Sequence, residues 1–193
     1  MYEQYKAARN RAWKILIEAG IDRLPIDLKK LCKTLYATVI PYSQMGEKTL
    51  SDFAATGDGF TLALNRKQRL IVVNDAKSIP RMRFTLAHEL GHIALNHTLK
   101  PVVYRNSEID NNQKPEEIQA SIFARDLLMP ACVLAALHVT TVDEIMQICN
   151  VSFTSAQIRL NRLLELYKRN MFGVHPLERQ VIAQFDQFIK NNK

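Results

Sequence analysis

The chain has 193 residues, of which 47% are hydrophobic and 23% charged, a composition typical of a globular protein with a sizeable core. Its formal net charge is +7, and the basic surplus lies mainly in the first 70 residues. No apolar run approaches the ~20 residues that span a bilayer, and the first residues lack a signal peptide's apolar core. We therefore expect a cytoplasmic protein without a membrane span, in which the three cysteines are reduced and mostly buried.

Hydrophobic periodicity and turn residues predict helices and short strands in the first half of the chain. These elements are a helix over 2–19, a second helix that Pro25 opens, a strand over 37–41, a polar loop over 43–59 with a helical turn at 52–55, and two strands over 60–64 and 70–73 joined as a hairpin. The second half is predicted to be helical. It has helices over 79–96, 115–129 and 176–190, an irregular loop over 98–113, and a short helix followed by a longer one within 141–168.

The helix over 79–96 contains His88-Glu89-Leu90-Gly91-His92, an H-E-x-x-H pattern. Residues four apart share one face of a helix, so His88 and His92 can aim two imidazoles at one point. Glu89 lies about 100° round from His88, too far for a ligand but near enough to reach a water beside the metal. Imidazole is a good zinc ligand, and a nearby carboxylate can take a proton from water and pass it to a leaving amine. The motif therefore predicts a Zn²⁺ site with Glu89 as catalytic base.

The third metal ligand is expected from the next acidic helix, over 115–129. Glu117 shares a helix face with small side chains, which would let this helix lie close to the first. Glu116 faces elsewhere, so Glu117 is preferred, although both could be first-turn acids that offset the helix dipole. His97 would lie about 180° from His88 on a continued helix, so we expect it to end the helix and meet the last carbonyls.

Several ordered segments carry a more specific pattern. They are Arg83-Phe84-Thr85-Leu86-Ala87-His88-Glu89-Leu90-Gly91-His92, Glu117-x-x-Ala120-Ser121-x-Phe123-Ala124, Leu127-Leu128-Met129-Pro130, Val151-Ser152 and Arg159-Leu160. Together they resemble the ImmA/IrrE metallopeptidases. The resemblance implies that His88, His92 and Glu117 bind zinc and that Glu89 is the base. It also implies an endopeptidase that cleaves or inactivates a helix-turn-helix repressor encoded beside it. Ser121 departs from the family, which often has Asn there.

We expect an α+β fold of zincin type, with a small, mostly antiparallel sheet packed on the motif helix and a helical C-terminal part. Residues 1–130 would form the metallopeptidase domain and residues 131–193 a helical C-terminal subdomain. The predicted function is zinc-dependent cleavage of a partner regulatory protein in the cytoplasm of a bacterium or a mobile element. An edge strand, 60–64 or 69–73, would hold the substrate backbone, and Tyr104 is a candidate oxyanion stabiliser.

Residues 141–168 allow two interpretations. A helix, a tight turn and a second helix resemble a helix-turn-helix unit whose polar side chains would face a duplex; these are Gln157, Arg159, Asn161, Arg162 and Arg169. One helix pair is a weak signal, so we prefer a buttress behind the zinc helices or a dock for the protein substrate, without specific nucleic-acid binding. The rival function is a non-catalytic DNA- or protein-binding regulator with a vestigial metal site, which would not need Glu89.

Overall fold

A computed structural model describes residues 2–45, 58–65, 67–97 and 115–193 of the chain, with side chains from Tyr5 onward. The helices are α1 (Tyr2–Glu18), α2 (Leu28–Thr34), α3 (Ile79–Ala94), α4 (Pro115–Leu128), α5 (Ala131–Ala136), α6 (Val142–Cys149), α7 (Phe153–Lys168), α8 (Pro176–Gln184) and α9 (Asp186–Asn191). The strands are β1 (Ala37–Pro41), β2 (Gly59–Ala63) and β3 (Arg69–Val73), and a 3₁₀ turn, Tyr42–Gln44, follows β1. The expected loop over 98–113, Tyr104 and the turn at 52–55 lie outside the described residues.

Two predicted helices differ in their ends. The N-cap of α2 is Asp27, and Pro25 lies before the helix. The Asp27 carboxylate accepts hydrogen bonds from the backbone N–H groups of Lys29 and Lys30. The expected final helix over 176–190 is two helices, α8 and α9, which meet at Phe185. Phe185 is fully buried, so the break turns the chain while its ring stays in the core.

The sheet has the strand order β1-β3-β2 and is mixed. The hairpin prediction is confirmed, because β2 and β3 pair antiparallel with Thr61 opposite Ile71. The expectation of a mostly antiparallel sheet is wrong for β1, which pairs parallel to β3. Pro41, the last residue of β1, and Gly59, the first residue of β2, both lie beside Val73, so β2 begins at the end of the sheet where β1 ends and runs opposite to both other strands.

The α+β prediction is confirmed, and α3 and α4 form the centre of the fold. α4 contacts both α3 and α1, and one face of α3 contacts β2 and β3. Apolar side chains of α1 and of the residue after it lie in this core, and those that are buried include Ala8, Ala12, Ile15, Leu16 and Ala19. The three cysteines are also free and buried, as expected.

The C-terminal unit α6–α7 is tied to both central helices by arginine side chains. From α3, Arg83 Nε donates to the Asn150 carbonyl at 3.2 Å. From α7, Arg159 donates to the Asp126 carboxylate at 2.5 Å and to the Arg125 carbonyl at 3.0 Å. The hydrophobic core runs continuously through residues before and after 130. The division of the chain at residue 130 stays a prediction.

One described helical stretch, Pro115–Ala136, is long and apolar enough to cross a membrane by length and composition alone. However, 72% of the apolar window in this stretch is buried inside the fold. Because α4 fills most of it and packs against α1 and α3, the stretch has the character of a core helix.

Candidate metal centre

The structure brings His88, His92 and Glu117 together between α3 and α4. His88 Nε2 lies 3.1 Å from His92 Nε2 and 3.2 Å from Glu117 Oε2, and His92 Nε2 lies 3.7 Å from the same carboxylate oxygen. Tetrahedral ligands with bonds of about 2.0–2.2 Å have donor atoms about 3.3–3.6 Å apart. The three donor atoms therefore fit one small divalent ion, and two imidazoles with one carboxylate are ligands that zinc accepts.

A close contact between helix backbones sets the distance between the ligands. A Cβ placed on Gly91 would lie 3.2 Å from both the Cα and the carbonyl oxygen of Ala120, and 3.0 Å from the Phe123 ring. Gly91 lies between the two histidines of α3, and Ala120 lies one turn after Glu117 on α4. The small residues predicted beside Glu117 thus do bring this carboxylate up to the imidazoles.

Glu89 points from α3 towards the sheet. It is only 2% exposed, and its Oε2 accepts a hydrogen bond of 2.7 Å from Thr61 Oγ1 on β2. Burial raises the pKa of Glu89 to about 7, and the Thr61 hydrogen bond and the charge of His92 offset only part of that rise. A carboxylate whose pKa is near neutrality can accept a proton at physiological pH and release it again.

Glu117 has the opposite electrostatic setting. Burial disfavours its charged form, but hydrogen bonds and positive charge from His88 and His92 outweigh burial and lower its pKa to about 2. Glu117 is therefore ionised across the physiological range, as a ligand must be. The neighbouring Glu116 is exposed and stands apart from the three-residue cluster, in keeping with the preference for Glu117.

His97 occupies a different place from the one expected. α3 ends at Ala94, and Asn96 adopts a left-handed conformation with φ of 56°, so His97 is not on the helix. Its imidazole does not meet the helix carbonyls. Instead His97 Nδ1 lies 3.0 Å from His92 Nδ1, and His97 Nε2 lies 2.9 Å from Gln119 Oε1. The expectation failed because the left-handed residue turns the chain back beneath His92.

Ser121 supports the other ligand histidine. Its hydroxyl oxygen lies 3.3 Å from His88 Nδ1, so this residue holds the ring even though it departs from the family pattern. Sequence reasoning did not find Thr61 or Gln119 as site residues. Thr61 comes from a strand distant in sequence, and Gln119 is two residues from Glu117, which is not a spacing that puts side chains on one helix face.

The predicted helix-turn-helix face loses one of its members in the structure. Arg159 is 1% exposed and bonded to Asp126, so it cannot reach a duplex. Asn161, Arg162 and Arg169 are exposed, and Gln157 is half-buried and donates to Asn161 at 3.0 Å. The buried arginine makes the α6–α7 unit a support for α4.

The three-residue cluster can hold a metal ion. The buried carboxylate of Glu89 lies close enough for the charges of His92 and Glu117 to affect its pKa, which is near neutrality. The family model described as Peptidase_M78, IrrE N-terminal-like domain, matches residues 38–161. That range includes all the residues discussed for the site and most of α7. Among curated proteins, no sequence matches the chain.

Proposed function

The chain belongs to the Peptidase_M78 family of IrrE N-terminal-like domains, and from this premise we propose that it is a zinc-dependent endopeptidase acting on a regulatory protein. The observation that carries the proposal is the convergence of His88, His92 and Glu117 beside the buried Glu89. A structural zinc site would have four protein ligands, whereas three protein ligands leave one position for water or substrate. The described residues contribute three, and this number supports the proposal of a catalytic site.

In this proposal, His88, His92 and Glu117 hold the ion. Bound Zn²⁺ supplies Lewis acidity to a carbonyl and makes water acidic near neutral pH. Glu89 accepts the proton of the attacking water and delivers it to the leaving amine. Thr61 holds the Glu89 carboxylate in place, and burial keeps its pKa high enough for both transfers.

Strand addition is the proposed mode of substrate binding, with β2 as the acceptor strand. The alternative strand, β3, is central in the described sheet and is paired on both sides by β1 and β2. β2 lies at an edge of that sheet and carries Thr61, the partner of Glu89. A peptide aligned with β2 would therefore pass beside the base.

The proposed partner is a helix-turn-helix repressor in the cytoplasm of a bacterium, encoded by the bacterium or by a mobile element. The family resemblance suggests this partner. The α6–α7 unit offers a docking surface away from the metal, because α7 exposes the large apolar side chains of Phe153 and Ile158 among polar ones. Exposed apolar side chains favour a protein partner over a duplex. We therefore do not propose sequence-specific DNA binding or a membrane role.

The test is to incubate the purified, zinc-loaded protein with the product of the adjacent repressor gene and to identify fragments by mass spectrometry. The wild type should produce defined fragments. Glu89→Gln should keep zinc but cleave at least about 10²-fold more slowly, because an amide cannot accept the proton. Glu116→Gln is the matched control and should cleave normally. Loss of repressor activity with no fragments, equally in wild type and Glu89→Gln, would support the rival non-catalytic regulator.

A further inference from the structure

We propose that His97 and Gln119 are positioning residues that lock His92 in the tautomer and orientation needed to bind metal. This proposal rests on the metal site of the proposed function, and not on the identity of the substrate. His92 is 3% exposed, so water cannot readily supply hydrogen bonds to its ring in place of protein groups.

The two nitrogens of the His92 ring face different partners. Nε2 points into the cluster, 3.1 Å from His88 Nε2 and 3.7 Å from Glu117 Oε2. Nδ1 points away from the cluster, 3.0 Å from His97 Nδ1. His97 in turn places its Nε2 2.9 Å from Gln119 Oε1. A continuous chain of hydrogen-bonding atoms thus runs from the metal position to an amide on α4.

The protons in this chain can be assigned from one requirement. A nitrogen that binds metal must present a lone pair, so His92 Nε2 is unprotonated and its proton is on Nδ1. His92 Nδ1–H then donates to His97 Nδ1, which leaves the His97 proton on Nε2. That N–H donates to Gln119 Oε1, and a carbonyl oxygen can only accept.

The opposite arrangement would block the metal. If the amide of Gln119 donated to His97 Nε2, the His97 proton would be on Nδ1 and would donate to His92. The His92 proton would then lie on Nε2, in the middle of the cluster. The acceptor oxygen of Gln119 therefore selects the metal-binding form of a ring that it does not touch.

The backbone places His97 for this role. The N–H of His97 donates to the His92 carbonyl at 3.0 Å, and the N–H of Asn96 donates to the Ile93 carbonyl at 3.1 Å. With Asn96 in the left-handed conformation, this is a Schellman ending, which turns the chain back against the last helical turn. This helix ending thus brings the imidazole of His97 up to that of His92.

The other ligand histidine, His88, meets a hydroxyl group on its Nδ1 side. His88 Nδ1 meets the Ser121 hydroxyl, which can rotate to donate or accept and so does not select a tautomer. Loss of such a partner of a metal-binding histidine typically costs about 10–100-fold in metal affinity. We expect the His97 chain to account for a loss in this range, and Ser121 for less.

The experiment measures Zn²⁺ affinity by competition with a chromogenic chelator, together with the absorption spectrum of the Co²⁺-substituted protein. His97→Leu removes the acceptor, while His97→Asn keeps an oxygen near the position of Nδ1. Gln119→Leu removes the acceptor at the far end of the chain. His138→Asn is the control, because His138 is exposed and also has positive φ. Thermal unfolding of each metal-free variant monitors folding.

His97→Leu should bind Zn²⁺ about 10–100-fold more weakly, and Gln119→Leu should also bind more weakly, with altered Co²⁺ spectra. His97→Asn should recover most of the affinity, and His138→Asn should match the wild type. Wild-type affinity in folded His97→Leu would overturn the proposal, as would equal losses in the Leu and Asn variants. A wild-type protein that binds Zn²⁺ but cuts no repressor would instead refute the proposed function and leave the assignment of His97 standing.

Discussion

The two ends of α4 each carry a carboxylate, half-buried in Glu117 and buried in Asp126, and the partners of the two carboxylates differ. Near the beginning of the helix, Glu117 faces two imidazoles. Near its end, Asp126 meets the guanidinium of Arg159 at 2.5 Å and that of Arg125 at 3.4 Å. Both carboxyl groups have lowered pKa values although burial opposes ionisation, and both are charged in the folded protein at neutral pH.

The partner decides what each charge can do. A guanidinium has a permanent positive charge and fills the space beside the carboxylate, so the Asp126 pair is closed and holds α7 on α4. Imidazoles can be neutral and present lone pairs, so the Glu117 cluster attracts a cation. The same helix thus contributes one structural ion pair and one carboxylate of a cluster that can hold a metal ion.

The largest effect should follow from removing the open carboxylate. Loss of a hydrogen-bond partner of a metal ligand costs up to about 10²-fold in metal affinity. Glu117→Ala removes a ligand itself, so it should weaken Zn²⁺ binding by more than that. Glu116→Ala, its exposed neighbour, should bind Zn²⁺ as the wild type does. Metal content after dialysis measures both variants. If Glu116→Ala alone loses zinc, the assignment of the third ligand is wrong.

The closed pair should instead control stability. Asp126→Ala leaves Arg159 buried without its carboxylate, so the free energy of unfolding should fall by about 3–5 kcal/mol in urea titrations of metal-free protein. Asp186→Ala removes the exposed partner of Lys190 and should cost no more than about 1 kcal/mol. Equal losses in these two variants would mean that the buried pair is not structural.

The pH dependence of stability should separate Glu89 from Asp126. The pKa of Glu89 is raised from 4.5 to about 7, so the stability linked to its protonation is present below pH 4.5 and lost as the pH rises through 7. Metal-free Glu89→Gln should therefore match the wild type at pH 4.5 and exceed it by up to about 3 kcal/mol at pH 8. The pKa of Asp126 is lowered in the folded protein, so Asp126 has the opposite effect. The stability that its charged form contributes is present above its unfolded-state pKa and is lost as the pH falls. A constant difference across this range would contradict the assignment for Glu89.

A smaller change should come from the threonine that holds Glu89. The Thr61 hydrogen bond lowers the pKa of Glu89 against the larger effect of burial. Thr61→Val keeps the shape and removes this bond, so the acidic limb of the peptidase pH profile should move to higher pH. Thr38→Val on the exposed face of β1 is the matched control. An unchanged acidic limb would show that Glu89 does not set it.

The sequence predicted local features well because they depend on nearby residues. The four-residue spacing of His88 and His92 is a property of any helix, and the first-turn position of Glu117 beside small residues was also visible. Thr61 and the direction of β1 depend on how distant segments pack, which periodicity does not report. The role of His97 was misjudged because one left-handed residue, Asn96, redirected the chain.

Gly91 has a consequence in coordination chemistry. Because its backbone lies against Ala120, the gap between the ligand-bearing helices is fixed by a contact that contains no ligand atom. The two helices therefore act as a preorganised chelator, in which little conformational entropy is lost when an ion enters. A larger side chain at position 91 would widen the bite of this chelator. Such a variant should shift its preference from Zn²⁺ towards larger ions such as Cd²⁺.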